Sequence, residues 1–230
     1  MHARMIGRLL VACGDPDNEF SGLPFEYFPR DFTRTLSKMN TVNRSTFIQV
    51  VVAIITLGTM AWAQPAQAAD PIVVMKTNLG TIEIQLDPKA APVTTKNFLA
   101  YVDKKFYDGT VFHRVVRGFV AQGGGMTPDG TEKPTDAPIK NEATNGLHNV
   151  RGTISMARTN DPNSATSQFF LNFVDNSTGK LDPGGFSPDG YAVFGKIVKG
   201  LDVLDKMEAL AGPGDGPPTQ QITLITARRK

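Results

Sequence analysis

Residues 112–125 constrain this chain more than any other stretch. They read FHRVVRGFVAQGGG. Apolar side chains alternate with an arginine and a glutamine, and three glycines then break the pattern. Alternation of this kind, in short runs, argues for half-buried β structure in which every second side chain faces one surface. Two short strands are therefore expected, near residues 111–116 and 118–122. Phe112 and Arg114 are expected to share a face of the first, and Val120 and Gln122 a face of the second. Folding the pair together would bring a guanidinium, apolar groups and an amide to one wall.

The rest of the chain supplies partners for that pair. Residues 72–77 and 81–86 read as strands around Asn78-Leu79-Gly80, so a hairpin opens the domain. Residues 87–106 read as a helix, with Pro92 suited to its first turn and Phe98, Leu99 and Val102 on one apolar face. A long loop rich in Gly, Pro, Thr and Asn spans 123–149. Further strands are expected at 152–157, 167–173, 192–198 and 222–227, and Val203, Leu204, Met207 and Leu210 mark a second, shorter helix. About eight short strands with two helices point to a barrel or a sandwich, because both protect strand edges. Pattern alone does not choose between them.

The N-terminal part has a different character. Residues 1–38 mix Pro, Gly, Asp and Arg without a hydrophobic period and are read as a disordered or untranslated extension. Leu10-Val11-Ala12-Cys13 has the look of a lipid-attachment box, but the apolar run before it is shorter than the roughly 7–15 residues such a leader needs. From Met39 a short region carrying Arg44 leads into the apolar run 47–63 and then Ala66-Gln67-Ala68, a small-x-small cleavage site. Residues 39–69 are thus read as a secretory signal peptide and 70–230 as the working domain. The apolar run contains Gln49 and falls short of the roughly 20 residues a spanning helix prefers. Membrane attachment is expected only if the segment stays uncleaved.

Charge excludes some functions. The 24 Lys and Arg against 22 Asp and Glu are interspersed, which gives no support to a nucleic-acid or anionic-membrane surface. Cleavage removes Cys13, the chain's single cysteine, so no disulfide, cysteine nucleophile or thiolate metal site is expected. His113 and His148 are not spaced as ligands, so no metal is expected. His113 is read as a hydrogen-bonded core histidine. Neither Ser155 nor Ser167 carries a nucleophile signature, and the three glycines lack the Lys-Ser/Thr of a phosphate loop.

Taken in order, FHRVVRGFVAQGG, SMARTNDPNSATSQFF and GYAVFGKIVKG resemble the cyclophilin family of peptidyl-prolyl cis/trans isomerases, in particular its bacterial periplasmic members. The resemblance covers the chain from about Ile72 to its end. It implies a mainly β fold: a closed eight-stranded antiparallel β-barrel capped by two α-helices, with the site on the outer wall. By the same resemblance Arg114 is the catalytic donor, and Gln122, with Gln168 beside it, holds it. Phe119, Val120, Phe170 and Leu181 fall on proline-pocket positions, Ala157 and Arg158 on positions that bind substrate backbone, and Tyr191 where eukaryotic members carry histidine. Lys180 stands where most relatives have Trp or Phe. That Trp contributes to cyclosporin binding in the family, so weak cyclosporin sensitivity is expected.

The residue types suit the chemistry. Exchange at an X-Pro bond is slow because the amide has partial double-bond character. Twisting localises the lone pair on the prolyl nitrogen, and a fixed donor there favours the twisted state over either planar one. A guanidinium stays charged and can face substrate with one edge while a neighbour holds another. The partners implied are proline-containing polypeptides, unfolded or flexible exported proteins, met in the periplasm by a monomer without cofactor. The competing reading is a proline-peptide binding module or chaperone that uses the same groove without catalysis. It needs Phe119 and Phe170 but not Arg114.

Overall fold

The computed structural model describes residues 69–230. The extension 1–38 and the signal peptide read at 39–69, apart from its last residue, lie outside the described residues. Nine strands form one sheet: β1 (Ile72–Thr77), β2 (Gly80–Leu86), β3 (Thr110–Val111), β4 (Arg114–Val116), β5 (Val120–Gly123), β6 (Thr153–Met156), β7 (Phe169–Asn172), β8 (Val193–Lys199) and β9 (Thr223–Arg229). Their order is β3-β9-β1-β2-β8-β6-β7-β5-β4, and every pairing is antiparallel. Among the described residues two α-helices accompany them, α1 (Pro92–Asp103) and α2 (Leu201–Ala209).

The mainly β fold with two helices is as expected, but the closed eight-stranded ladder is not what forms. The stretch expected as one strand over 111–116 is broken at Phe112 and His113. Its first half pairs with β9 and its second with β5, while the Phe112 N–H donates to the Ile222 carbonyl at 2.9 Å. The sheet therefore curls until its two end strands lie on one stretch of chain, with no ladder between them. The same break corrects the expected shared face. Phe112 turns inward, its ring 5.9 Å from that of Phe169 at 83°, whereas Arg114 stays half-buried on the outer wall.

Alternation along the strands divides the side chains between two sides. Val73, Met75, Ile82, Ile84, Leu86, Ala121, Ile154, Met156, Phe169 and Leu171 point into the main core. Helix α1 closes part of it with Phe98, Leu99, Tyr101 and Val102, and α2 with Val203, Leu204 and Met207. Helix α1 is shorter than the 87–106 expected. Asp87 Oδ1 accepts the N–H groups of Lys89 and Ala90, which makes a turn there, and Lys105 takes a left-handed φ of 56° just past the other end. The helix start is satisfied from afar, since Glu142 accepts from the N–H groups of Val93 and Thr94 at 3.1 and 2.8 Å. That contact anchors the long loop expected over 123–149.

Candidate active site

Strand register builds the site. Arg114 lies opposite Gln122 across the β4–β5 pair, Gln122 opposite Phe170 across β5–β7, and Phe170 opposite Ser155 across β7–β6. Directly opposed residues share a face of a sheet, so these four side chains form one row on the outer wall. Residues two along share that face as well, which adds Val120 beside Gln122 and Asn172 beside Phe170. The expectation that Val120 and Gln122 lie on one face is met.

The apolar part of this wall is a small cluster of its own, separate from the main core. Val120, Ala157, Phe170 and Leu181 are buried together, with Phe119 and Tyr191 packed against them. The ring of Phe170 meets that of Tyr191 edge to face at 5.7 Å and 75°. All six were singled out from the sequence, and the structure brings them together.

The polar part is a chain of donors and acceptors. Arg114 Nη1 donates to Gln122 Oε1 at 3.3 Å, Gln122 Nε2 to Gln168 Oε1 at 3.0 Å, and Gln168 Nε2 to Glu132 Oε1 at 3.2 Å. Each amide thereby has its orientation set by the next group. The other edge of the guanidinium is held by Asp215, which accepts from Nε at 2.5 Å and from Nη2 at 2.6 Å. Hydrogen bonds from Arg114, with its charge, keep the Asp215 carboxyl below the usual carboxylate range. The Arg114 guanidinium carbon stands 5.8 Å from the centre of the Phe119 ring, which places the charge at the rim of the apolar cluster.

The glycines after Gln122 let the chain pass this network closely. Gly124 has φ of +84°, and a Cβ there would lie 2.6 Å from the Phe169 ring. At Gly125 a Cβ would lie 2.5 Å from Gln168 Cγ. Only a residue without a side chain leaves Gln168 where Gln122 needs it.

Arg158 is placed differently from a residue reaching for a peptide. It donates to the Gly190 carbonyl from Nε and Nη2 at 3.0 and 2.8 Å, to Ser187 Oγ at 2.8 Å and to the Thr159 carbonyl at 2.8 Å. Its guanidinium carbon lies 4.4 Å from the centre of the Tyr191 ring. Its visible work is to clamp the loop that delivers Tyr191. Four of its five N–H groups are taken by these contacts.

Several supporting residues were not foreseen. Asn149, fully buried, donates from Nδ2 to Asp182 Oδ1 at 2.9 Å and to the Tyr191 carbonyl at 3.1 Å, and accepts from Ser155 Oγ at 2.7 Å and Asn172 Nδ2 at 3.3 Å. Burial pushes the Asp182 carboxyl up, but hydrogen bonds from the Asn149 backbone and side chain and from His148 bring it below its ordinary value. Asn176 donates to the Phe119 carbonyl and to Asn172 Oδ1, each at 3.0 Å. A wide turn over Ser177–Leu181 sets Leu181, whose carbonyl accepts the Tyr191 N–H at 2.9 Å. Phe186, 71% exposed, lies with its ring centre 6.3 Å from that of Phe119. The run of Asn and Asp residues was the available signal for the polar set. Nothing local tied Asp215 to Arg114, 101 residues away.

His113 departs from expectation. Its Nδ1 is buried without a hydrogen-bond partner. Burial, and then the charge of Arg114, lower its pKa from the ordinary histidine value, with Glu132 opposing.

Comparison with known proteins agrees with this geometry. Residues 72–229 match the family model described as cyclophilin type peptidyl-prolyl cis-trans isomerase/CLD. The chain is 47% identical over 186 residues to peptidyl-prolyl cis-trans isomerase A of Dickeya dadantii, covering 78% of this chain and 96% of that protein. It is 49% identical over 140 residues to peptidyl-prolyl cis-trans isomerase B of Escherichia coli, covering 61% and 85%. Among solved structures, a cyclophilin type peptidyl-prolyl cis-trans isomerase of Cryptosporidium parvum is similar with a TM-score of 0.61 at 28% identity, covering 70% of this chain and 98% of that one.

Proposed function

The chain belongs to the cyclophilin-type peptidyl-prolyl cis-trans isomerases, and we propose that it accelerates rotation about X-Pro bonds on the β4–β5–β7 wall, with Arg114 and Gln122 as catalytic groups. The proline ring enters the apolar cluster of Phe119, Val120, Phe170 and Leu181, with Tyr191 closing one side. Ala157 and Arg158 offer backbone to the peptide, and Gln168 keeps Gln122 in place. The observation that carries this reading is the guanidinium held at the rim of a separate apolar cluster.

A guanidinium has five N–H donors. Two go to Asp215 and one to Gln122, so two Nη hydrogens are left for substrate. As the amide twists and the prolyl nitrogen regains its lone pair, those hydrogens meet a stronger acceptor than in either planar form. The donors are already oriented, so no reorganisation is needed as the charge shifts. No proton changes hands, and no cofactor is required.

The substrates are proline-containing segments of exported proteins, whose folding the enzyme assists in the periplasm, where it acts as a monomer. The layout of 39–69, a basic start, an apolar run and a small-x-small site, supports export with cleavage. N-terminal sequencing of the exported protein tests it: a start near Asp70 supports cleavage, and a retained apolar run means an anchor.

The activity is tested by exchange NMR on a short Ala-Pro-Phe peptide with the full chain and its Arg114→Ala variant. Removing a preorganised donor of this kind costs about 10²-fold or more in rate. Fast exchange lost in the variant, with peptide still bound, is expected. Binding without exchange in the unmodified protein would make the groove a recognition module instead.

A further inference from the structure

The loop between α2 and β9 enters the site at one point, Asp215, in the sequence Gly-Pro-Gly-Asp-Gly-Pro-Pro. This loop is a strap pinned to the fold. The Thr219 N–H donates to the Leu210 carbonyl at 2.8 Å, closing its base, and the Val115 N–H donates to the Gly216 carbonyl at 2.8 Å. The second bond covers the free edge of β4, the end strand of the sheet. It also aligns the backbones one residue away from the Arg114–Asp215 pair. Pro213, Pro217 and Pro218 stiffen the strap, and at Gly212 a Cβ would lie 2.7 Å from the Pro217 carbonyl oxygen, so the turn is tight.

We propose that Asp215 is a positioning residue for the isomerase reaction, selecting which edge of the Arg114 guanidinium faces the X-Pro bond. The proposal rests on the reading of Arg114 as the donor. The carboxylate takes the Nε and Nη2 edge at 2.5 and 2.6 Å, a two-point contact that fixes the plane of the group. The other two contacts do not fix it. Gln122 makes one bond at 3.3 Å, and the Phe119 ring is a face 5.8 Å away. Without Asp215, a side chain with four rotatable bonds would be free to turn its remaining donors away from the substrate. Exposure gives the pair little weight in stability, since the Asp215 side chain is 61% exposed. Removing the carboxylate also leaves the arginine charge uncompensated, which by itself would favour the twisted amide. A slower variant therefore reports position rather than charge.

The test measures the exchange rate of a bound Ala-Pro-Phe peptide and, separately, its Kd, using the full chain. Asp215→Ala is expected to slow bound exchange about tenfold while Kd stays within about twofold. Asp215→Glu, which keeps a two-point acceptor, should recover most of the rate, and Asp215→Asn, with one acceptor oxygen, should fall between. In an Arg114→Ala background Asp215→Ala should add nothing, because the group it positions is gone. The Arg114 Nε–H resonance should lose its protection from solvent exchange in Asp215→Ala alone. An unchanged rate in Asp215→Ala, or a full additional loss in the Arg114→Ala background, overturns the proposal. Unchanged exchange in Arg114→Ala itself would instead overturn the reading of Arg114, so the two failures are distinguishable.

Discussion

Asn149→Ala should be the most damaging single truncation of a residue that touches no substrate. The side chain makes four hydrogen bonds from a fully buried position, joining β6 and β7 to the segment that carries Leu181 and Tyr191. Two neutral bonds of good length contribute about 1 kcal/mol each, the bond to the Asp182 carboxylate about 2, and the long one to Asn172 less. Ser155 Oγ loses its acceptor, whereas Asn172 Nδ2 keeps Thr153 Oγ1 at 3.0 Å. The expected loss is about 4 kcal/mol, a large part of the roughly 5–15 kcal/mol of a typical domain. Urea unfolding followed by tryptophan-independent circular dichroism reads it as a lower midpoint at constant slope. Peptide affinity should fall too, because both pocket residues hang from this hub. A loss under about 1 kcal/mol would refute the view that the network, rather than the strands alone, holds the pocket wall. Asn149→Asp sharpens the point. In the unmodified protein the lowered Asp182 pKa means that its contribution is present above the ordinary carboxylate value and is lost as pH falls through the folded one. A second carboxylate against Asp182 reverses that sign, so this variant should gain stability on mild acidification.

Gly125→Ala should push Gln168 away from Gln122, since the new Cβ would lie 2.5 Å from Gln168 Cγ; bound-state exchange slows and stability drops by about 1–3 kcal/mol, as read by exchange NMR and urea unfolding. The isomerase rate should be flat across neutral pH, because no step moves a proton; a bell-shaped profile centred near the histidine value would contradict the mechanism. Stability should behave differently: His113 titrates below its ordinary 6.5 in the fold, so the unfolded chain binds the proton first and stability declines as pH falls from 6.5 toward the folded value. His113→Gln should flatten that part of the pH–stability curve. Cyclosporin should inhibit weakly, with Lys180→Trp tightening it in a fluorescence titration; tight inhibition of the unmodified protein would refute this expectation.

What could be read from the sequence follows from how local each feature is. Val120 and Gln122 share a face because strand periodicity is two, which follows from their spacing once the segment is a strand. The apolar cluster was legible residue by residue through the family motifs, although no spacing joins Leu181 to Val120. The break at Phe112 and His113 was invisible, since FHRVV has no glycine or proline to mark it, and only the competing pairings to β9 and β5 split it. Asp215 and Asn149 act through contacts 101 and 33 residues away in the chain. Polar residues in loops are common, and only the fold shows which of them meet a buried partner.

The division of labour at the site has a physical basis in the sheet. Arg114, Gln122 and Phe170 occupy successive strands in one register row, so the separation of the proposed donor from Phe170 is set by two strand spacings, about 10 Å between backbones. Changing it would require breaking backbone ladders. The rest of the wall is delivered by segments outside the ladders: Leu181 and Tyr191 through Asn149 and the Arg158 clamp, and the orientation of Arg114 through the strap at Asp215. Rotation about a prolyl bond demands that one side of the peptide be held while the other turns past a fixed donor. On the proposed mechanism the strand row, with Arg114, Val120 and Phe170, supplies the fixed side, and loops hung from buried polar groups bring Leu181 and Tyr191 to the wall that grips the ring. Substitutions in the polar hub should therefore act first on affinity, and substitutions around the Arg114 edge first on the rate of the bound peptide.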